Sequence, residues 1–284
     1  MKTILVPTDF SKAANKAMDL ATNLARPFGS TVLLLHVLES VDEGSFNVEG
    51  EATAASTWED KIFNLKMIQK AKRQLAQAEQ QLINAGVKVK TLLRLGDAYH
   101  GIHSIINEQK VDLVVMGTSG TTGYEGMLIG SNTEKVVRRS ACPVLSVNEK
   151  SAITPFKSIV WATALRDEDQ VLPPVLRRIM EQEGTTVNVV RINTPGWFIP
   201  DSIAKTKIAD FAKRMKLKNY TVNVFNDLSE EEGLIHFATS IDADMIALST
   251  HGRKGLAHLI NGSIAEDVVN HAKRPVFTYV LPKK

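Results

Sequence analysis

Five glycines fall within one short segment, Gly117, Gly120, Gly123, Gly126 and Gly130, and Ser131, Asn132 and Thr133 follow directly. Glycine lets backbone amides come close to an anion and take positive φ where needed, and successive amides can form a nest around it. Ser131 or Asn132 stands where a helix over Glu134–Arg139 needs its N-cap. There, unpaired amides and the helix dipole favour phosphate. The hydroxyls of Ser131 and Thr133 could donate to phosphate oxygens. The chemistry this spacing suits is the holding of a polyphosphate. A glycine-rich loop is equally the composition of a plain turn, so its meaning depends on what surrounds it.

Two other segments carry complementary groups. Pro7-Thr8-Asp9-Phe10-Ser11 closes an apolar run and opens a helical pattern. Asp9 could accept from a ribose hydroxyl or hold a metal-bound water, while Asp9 and Ser11 also read as helix caps. His36-Val37 closes a second apolar run, where the backbone around Val37 could read an adenine edge.

These segments meet only if all three lie at the carboxyl ends of neighbouring parallel strands, the edge where open α/β sheets bind ligands. Short Val-, Ile- and Leu-rich runs near 3–7, 31–37, 88–94, 112–116 and 143–147 read as buried parallel strands. Between them, Ala13, Ala17, Leu20 and Leu24 form one helical stripe. Ile62, Leu65, Ile68, Ala71, Leu75, Ala78 and Leu82 form another. Residues 40–60 hold six acidic residues and no basic one, and read as a solvated loop.

The pattern occurs twice. Lys2–Thr8 matches Lys157–Thr163, and Gly29–Val37 matches Gly184–Ile192 at the same offset. Asp112–Gly120 matches Asp244–Gly252, and that alignment runs without a gap to Cys142-Pro143-Val144 and Arg274-Pro275-Val276. The chain therefore reads as two repeated open five-stranded parallel-sheet domains, Rossmann-like, over 1–150 and 151–284, joined near Asn148–Pro155.

Composition bounds the rest. Of 284 residues, 44% are hydrophobic and 23% charged, the balance of a soluble globular chain. A net charge of +3 with no basic run longer than a pair gives no reason to expect nucleic acid. No window approaches a membrane span and the start lacks a signal-peptide core, so neither membrane nor export is expected. The single cysteine, Cys142, fits a reducing compartment, and the cytoplasm is the expected location.

Gly117, Gly120, Gly130 and Ser131 fit glycine, two residues, glycine, nine residues, glycine, then Ser or Thr. Together with Pro7–Ser11 and Cys142–Val144, they resemble the universal stress protein family over both repeats. The resemblance implies an adenine-nucleotide α-hydrolase-like fold that binds ATP, or ADP or AMP, with Mg²⁺ or Mn²⁺ commonly accompanying the triphosphate. It implies that Pro7, Thr8, Asp9 and Val37 surround adenine and ribose. Met116, Gly117, Gly120, Gly130, Ser131, Asn132 and Thr133 would then surround ribose and phosphates. It further implies pairing through the fifth strands, Val144–Val147 and Val276–Val280, either between repeats or in a homodimer of tandem chains, and a regulatory protein partner not identifiable from sequence.

Repeat two departs from the pattern: Asp9 aligns with Ala164, Pro7 with Ala162 and Gly117 with Ser249, while Gly252, Gly262 and Ser263 remain. It reads as a degenerate partner, or as a site for another ligand such as AMP or phosphate. Three functions stay open. The first is a nucleotide-binding stress-response regulator, the second a slow ATPase or autophosphorylating enzyme, and the third a structural dimer with a vestigial site. The enzyme reading lacks a Gly-x4-Gly-Lys phosphate loop and any Lys or Arg within 117–133. Cys142 reads as a buried thiol. His100 and His103 lack a third metal ligand nearby. Trp197 and Phe198 read as core, with a partner or lipid-tail patch as the alternative.

Overall fold

In a computed structural model, described here for residues 1–39, 58–118, 130–151, 153, 155–165, 171–250 and 264–281, strands and helices alternate within each repeat. The first repeat runs β1 (Thr3–Pro7), α1 (Lys12–Phe28), β2 (Thr31–Leu38), α2 (Trp58–Asn84), β3 (Lys88–Leu95), α3 (Ala98–Glu108), β4 (Leu113–Gly117), α4 (Ser131–Arg139) and β5 (Val144–Val147). The second runs β6 (Ser158–Ala162), α5 (Pro174–Met180), β7 (Thr186–Asn193), α6 (Asp201–Arg214), β8 (Tyr220–Asn226), α7 (Glu230–Ser240), β9 (Met245–Thr250), α8 (Ile264–His271) and β10 (Val276–Val280). The expected strands of repeat one all form, within one residue of their sequence positions.

The two sheets join into one of ten strands, ordered β3-β2-β1-β4-β5-β10-β9-β6-β7-β8. Within each repeat all pairings are parallel; β5 and β10 run antiparallel, Ser146 opposite Val276 and Leu145 opposite Phe277. Both junction strands are buried, so the fifth-strand edges that would otherwise be exposed are spent on each other. Asn148, just past β5, donates from Nδ2 to Ala272 O at 2.7 Å and adds a second tie across the repeats.

Helices cover both faces. α1, α2, α5 and α6 pack on one, through residues such as Leu20, Leu75, Ile179 and Phe211. α3, α4, α7 and α8 pack on the other, through Ile105, Val137, Phe237 and Val268. The α1 stripe is buried as its spacing requires, and Ser11 caps the helix while Gly29, at φ 60°, ends it in the left-handed region. The α2 stripe is buried only from Ala71 onward; Ile62 and Leu65 are exposed, contrary to expectation. α2 is 27 residues long against 14 for its counterpart α6, and the exposed part of the stripe lies on its opening turns. Trp197 and Phe198 also differ from the core reading: they are 69% and 63% exposed. None of the described helices is long and apolar enough to cross a membrane.

Burial of the junction makes two outcomes predictable. Phe277→Ala removes a fully buried ring at β5–β10 and should cost about 3–5 kcal/mol in denaturant unfolding; a loss below about 1 kcal/mol would mean the junction repacks freely. Burial pushes the Cys142 thiol up to about 12, with its Sγ 3.3 Å from Val111 O. Ellman's reagent near neutral pH should therefore label the native chain negligibly and the unfolded chain fully.

Candidate functional site

The strand order reverses between β1 and β4, whose neighbours lie on opposite sides, so a crevice opens at their carboxyl ends. Three backbone features line it. The first is the turn after β1. Thr8 N still donates to Leu35 O at 2.8 Å, after which the chain leaves the sheet. Phe10 takes φ 61° and its amide donates to Thr8 Oγ1 at 3.0 Å. Asp9 Oδ1 accepts from Ser11 N at 3.0 Å, and Ser11 Oγ accepts from Ala14 N at 3.2 Å. Ser11 therefore caps α1, while Asp9 braces the turn before it by accepting from the cap residue's own amide. A carboxylate offers several lone pairs, so this does not exhaust Asp9 as an acceptor.

The second feature is β2. Leu35 gives its carbonyl to Thr8, and with a side-to-side period of two the amide and carbonyl of Val37 face the same way. There β1 has already turned off, so they point into the crevice. The Val37 side chain packs on α3, where a Cβ at Gly101 would lie 3.0 Å from Val37 Cγ2. His36 steadies the turn. Its Nδ1 lies 2.6 Å from Thr8 O and its ring 4.9 Å from Phe10, so Nδ1 carries the proton and donates. In sequence His36 is read only as closing the second apolar run with Val37; this role in the turn is not read there.

The third feature is β4 and the start of α4. Met116 is buried, and Gly117 abuts the first turn of α1: a Cβ there would lie 2.7 Å from the Ala13 carbonyl carbon and 2.9 Å from Ala14 N. Gly117 is thus needed for strand–helix approach. Gly120 and the rest of 119–129 lie outside the described residues, but the ends of that segment are anchored. Gly130 N donates to Thr118 O at 2.6 Å, and Thr118 N donates to Val147 O at 2.8 Å.

Two expectations are corrected here. Gly130, not Ser131 or Asn132, is the N-cap, and α4 begins at Ser131, three residues earlier than its charged pattern suggests. Thr133 is buried and its hydroxyl donates to Gly117 O at 2.8 Å, which commits it to closing the loop instead of to an external oxygen. The amides of Ser131, Asn132 and Thr133 remain the leading N–H groups of the helix, which have no acceptor within it. Pro7, Thr8, Asp9, Val37, Met116, Gly117, Gly130, Ser131, Asn132 and Thr133 thus belong to the carboxyl ends of β1, β2 and β4 and the start of α4. Among the described residues no three of His, Cys, Asp and Glu gather as a metal-holding group. His100 pairs instead with its own helix cap, Asp97, at 2.8 Å, and the bonds to His100 hold that carboxyl below its ordinary range.

The equivalent edge of the second repeat is built differently. The turn survives, with Thr163 N donating to Val190 O at 3.0 Å and Leu165 at φ 58°. In place of His36 stands Arg191, 6% exposed, which donates to Ala164 O at 2.9 Å and to Trp197 O at 2.8 Å. Asn193 grips both the amide and carbonyl of Ile199. A guanidinium and a folded-back loop occupy this edge in repeat two.

Residues 1–148 and 201–279 match the universal stress protein family. Universal stress protein MJ0577 of Methanocaldococcus jannaschii is 30% identical over 158 residues, 53% of this chain and 97% of its own. Universal stress protein YxiE of Bacillus subtilis is 31% identical over 150 residues, 51% of this chain and 97% of its own. A crystal structure of a universal stress protein from Archaeoglobus fulgidus superposes over 98% of both chains with a TM-score of 0.75 at 18% identity, a likeness of fold along the whole tandem.

The tightness at Gly117 gives a test that needs no ligand. Gly117→Ala, with its methyl driven into α1 backbone, should cost about 1–3 kcal/mol in chemical denaturation. An unchanged midpoint would mean α1 shifts to make room.

Proposed function

This chain belongs to the universal stress protein family, and from that premise we propose that it is a cytoplasmic regulator that holds one adenine nucleotide, ATP or its ADP or AMP relative, in residues 1–150. Residues 151–284 act in this reading as a partner repeat that has lost its site. The observation that carries the reading is the convergence at one strand-order reversal of three kinds of group. These are an outward amide–carbonyl pair at Val37, a carboxylate turn at Asp9, and the leading amides of an α-helix.

Each matches a different part of a nucleotide. An amide and carbonyl side by side complement an adenine edge. Asp9 accepts from a ribose hydroxyl while keeping its bond to Ser11. The amides of Ser131 to Thr133, at the positive end of the α4 dipole, suit phosphate. Gly120 and its neighbours would complete the cradle. Mg²⁺ or Mn²⁺ bound through phosphate oxygens and water needs few protein ligands, consistent with the donor types near the crevice. The loop 117–133 has no Lys or Arg to stabilise a transferring phosphoryl group, which favours holding over hydrolysis. Nucleotide and partner binding would then be linked through the ordering of that loop.

In repeat two, the Arg191 bridge and the 194–200 loop lie where base and ribose would enter, and Ala164 supplies no carboxylate. This supports one nucleotide per chain.

Calorimetric titration of nucleotide-stripped chain with ATP should give a stoichiometry of one. Asp9→Ala should weaken binding about tenfold or more with little loss of thermal stability. A stoichiometry of two would restore repeat two as a site, no binding would leave a structural tandem, and ADP recovered from purified protein would favour the enzyme.

A further inference from the structure

The helical layers on the two faces of the sheet differ in charge far more than the net +3 suggests. α1, α2, α5 and α6 together carry fourteen Lys or Arg against six Asp or Glu. α3, α4, α7 and α8 carry three against seven. Among the described residues most exposed large apolar side chains go with the basic helices; Leu95 and Leu228, at the entries to α3 and α7, do not. Trp58, Ile62, Phe63, Leu65 and Met67 lie on the first turns of α2, and Trp197, Phe198 and Ile203 lie at the entry to α6. Both groups belong to the basic layer, and Trp58 is 81% exposed.

The second group is held firmly. Trp197 N donates to Thr194 O at 3.0 Å, its carbonyl accepts from buried Arg191, and Ile199 is gripped by Asn193. The two rings are therefore presented on an ordered turn, which lowers the ordering cost of inserting them into anything. From this turn α6 leads off with exposed Lys205, Lys207, Lys213 and Arg214. On α2, exposed Lys66, Lys70, Lys72 and Arg73 follow the apolar turns in the same way.

We propose that the layer of α1, α2, α5 and α6 is a docking surface for an anionic lipid bilayer. Aromatic rings favour the headgroup level, aliphatic side chains the acyl boundary just below, and Lys and Arg the anionic headgroups, each basic residue adding to the attraction. This layer supplies all three kinds on two equivalent helices. A second copy of the chain fits less well, because symmetric pairing of this face sets basic helix against basic helix. Nucleic acid would use the charge and the rings but gain nothing from Ile62, Leu65, Met67 and Ile203. That none of the described helices spans a bilayer bears on crossing one, not on lying against one. The proposal is independent of nucleotide binding.

Cosedimentation of the full, nucleotide-stripped chain with vesicles of phosphatidylcholine alone and of phosphatidylcholine with phosphatidylglycerol tests it. The chain should pellet with the mixed vesicles at low salt, stay in solution with the neutral ones, and be released by added salt. Trp197→Ala with Phe198→Ala, and separately Trp58→Ala with Phe63→Ala, should each weaken binding about tenfold with an unshifted Tm. The reversal K70E, K72E, K207E and K213E should weaken it at least as much. Equal partition into both vesicle types, no pelleting, or undiminished binding by both aromatic variants would overturn the proposal. So would a single-stranded oligonucleotide that binds the chain and strips it from vesicles, or a dimer that the aromatic variants dissolve, since each assigns the face to another partner.

Discussion

Every buried or crevice-lining backbone group needs a hydrogen-bond partner, and the carboxyl end of β1 is where that requirement becomes hard to meet. β1 leaves the sheet after Thr8 takes the Leu35 carbonyl, while β2 continues to Leu38. The Val37 amide and carbonyl are left facing an edge with no strand beside them. The two halves of the chain answer this with the same turn and different fillers. In repeat one, His36 fastens the turn through Thr8 O. In repeat two, Arg191 reaches across to Ala164 O and Trp197 O and draws the following loop over the edge.

That substitution has a cost and a consequence. A guanidinium buried away from water needs its donors satisfied, and Arg191 finds two backbone carbonyls and the Asn193 amide oxygen. To supply one of those carbonyls, residues 194–200 must fold back, and the fold-back turns Trp197 and Phe198 outward. Closing the crevice and exposing the aromatic pair are thus one event in the second repeat.

The architecture was legible because it rests on patterns that repeat: apolar runs, helical stripes and a doubled motif all converge on one sheet per repeat. The site was legible in part. Pro7 to Ser11, Val37 and the two ends of the glycine segment, Gly117 and Gly130, lie where their order along an α/β chain requires. What escaped depends on contacts between distant residues. Gly117 reads as a phosphate-loop glycine but answers first to the α1 backbone beside it. Thr133 reads as a phosphate donor but its proton goes to Gly117 O. The stripe on α2 has one period along its whole length, and nothing in that period says that its burial begins only at Ala71.

Charge was the least legible property, since a sum conceals its arrangement. The basic and acidic helices come in successive pairs along the chain, because right-handed crossovers keep helices on one face while the sheet is built in one direction and switch them to the other where the strand order reverses. Folding sorts what the sequence interleaves. The antiparallel β5–β10 junction then matters electrostatically as well as sterically. It keeps corresponding helices of the two repeats on the same face, so the excess on α1 and α2 adds to that on α5 and α6. Had the repeats joined with opposite faces in register, each layer would carry one basic and one acidic half, and the asymmetry would cancel.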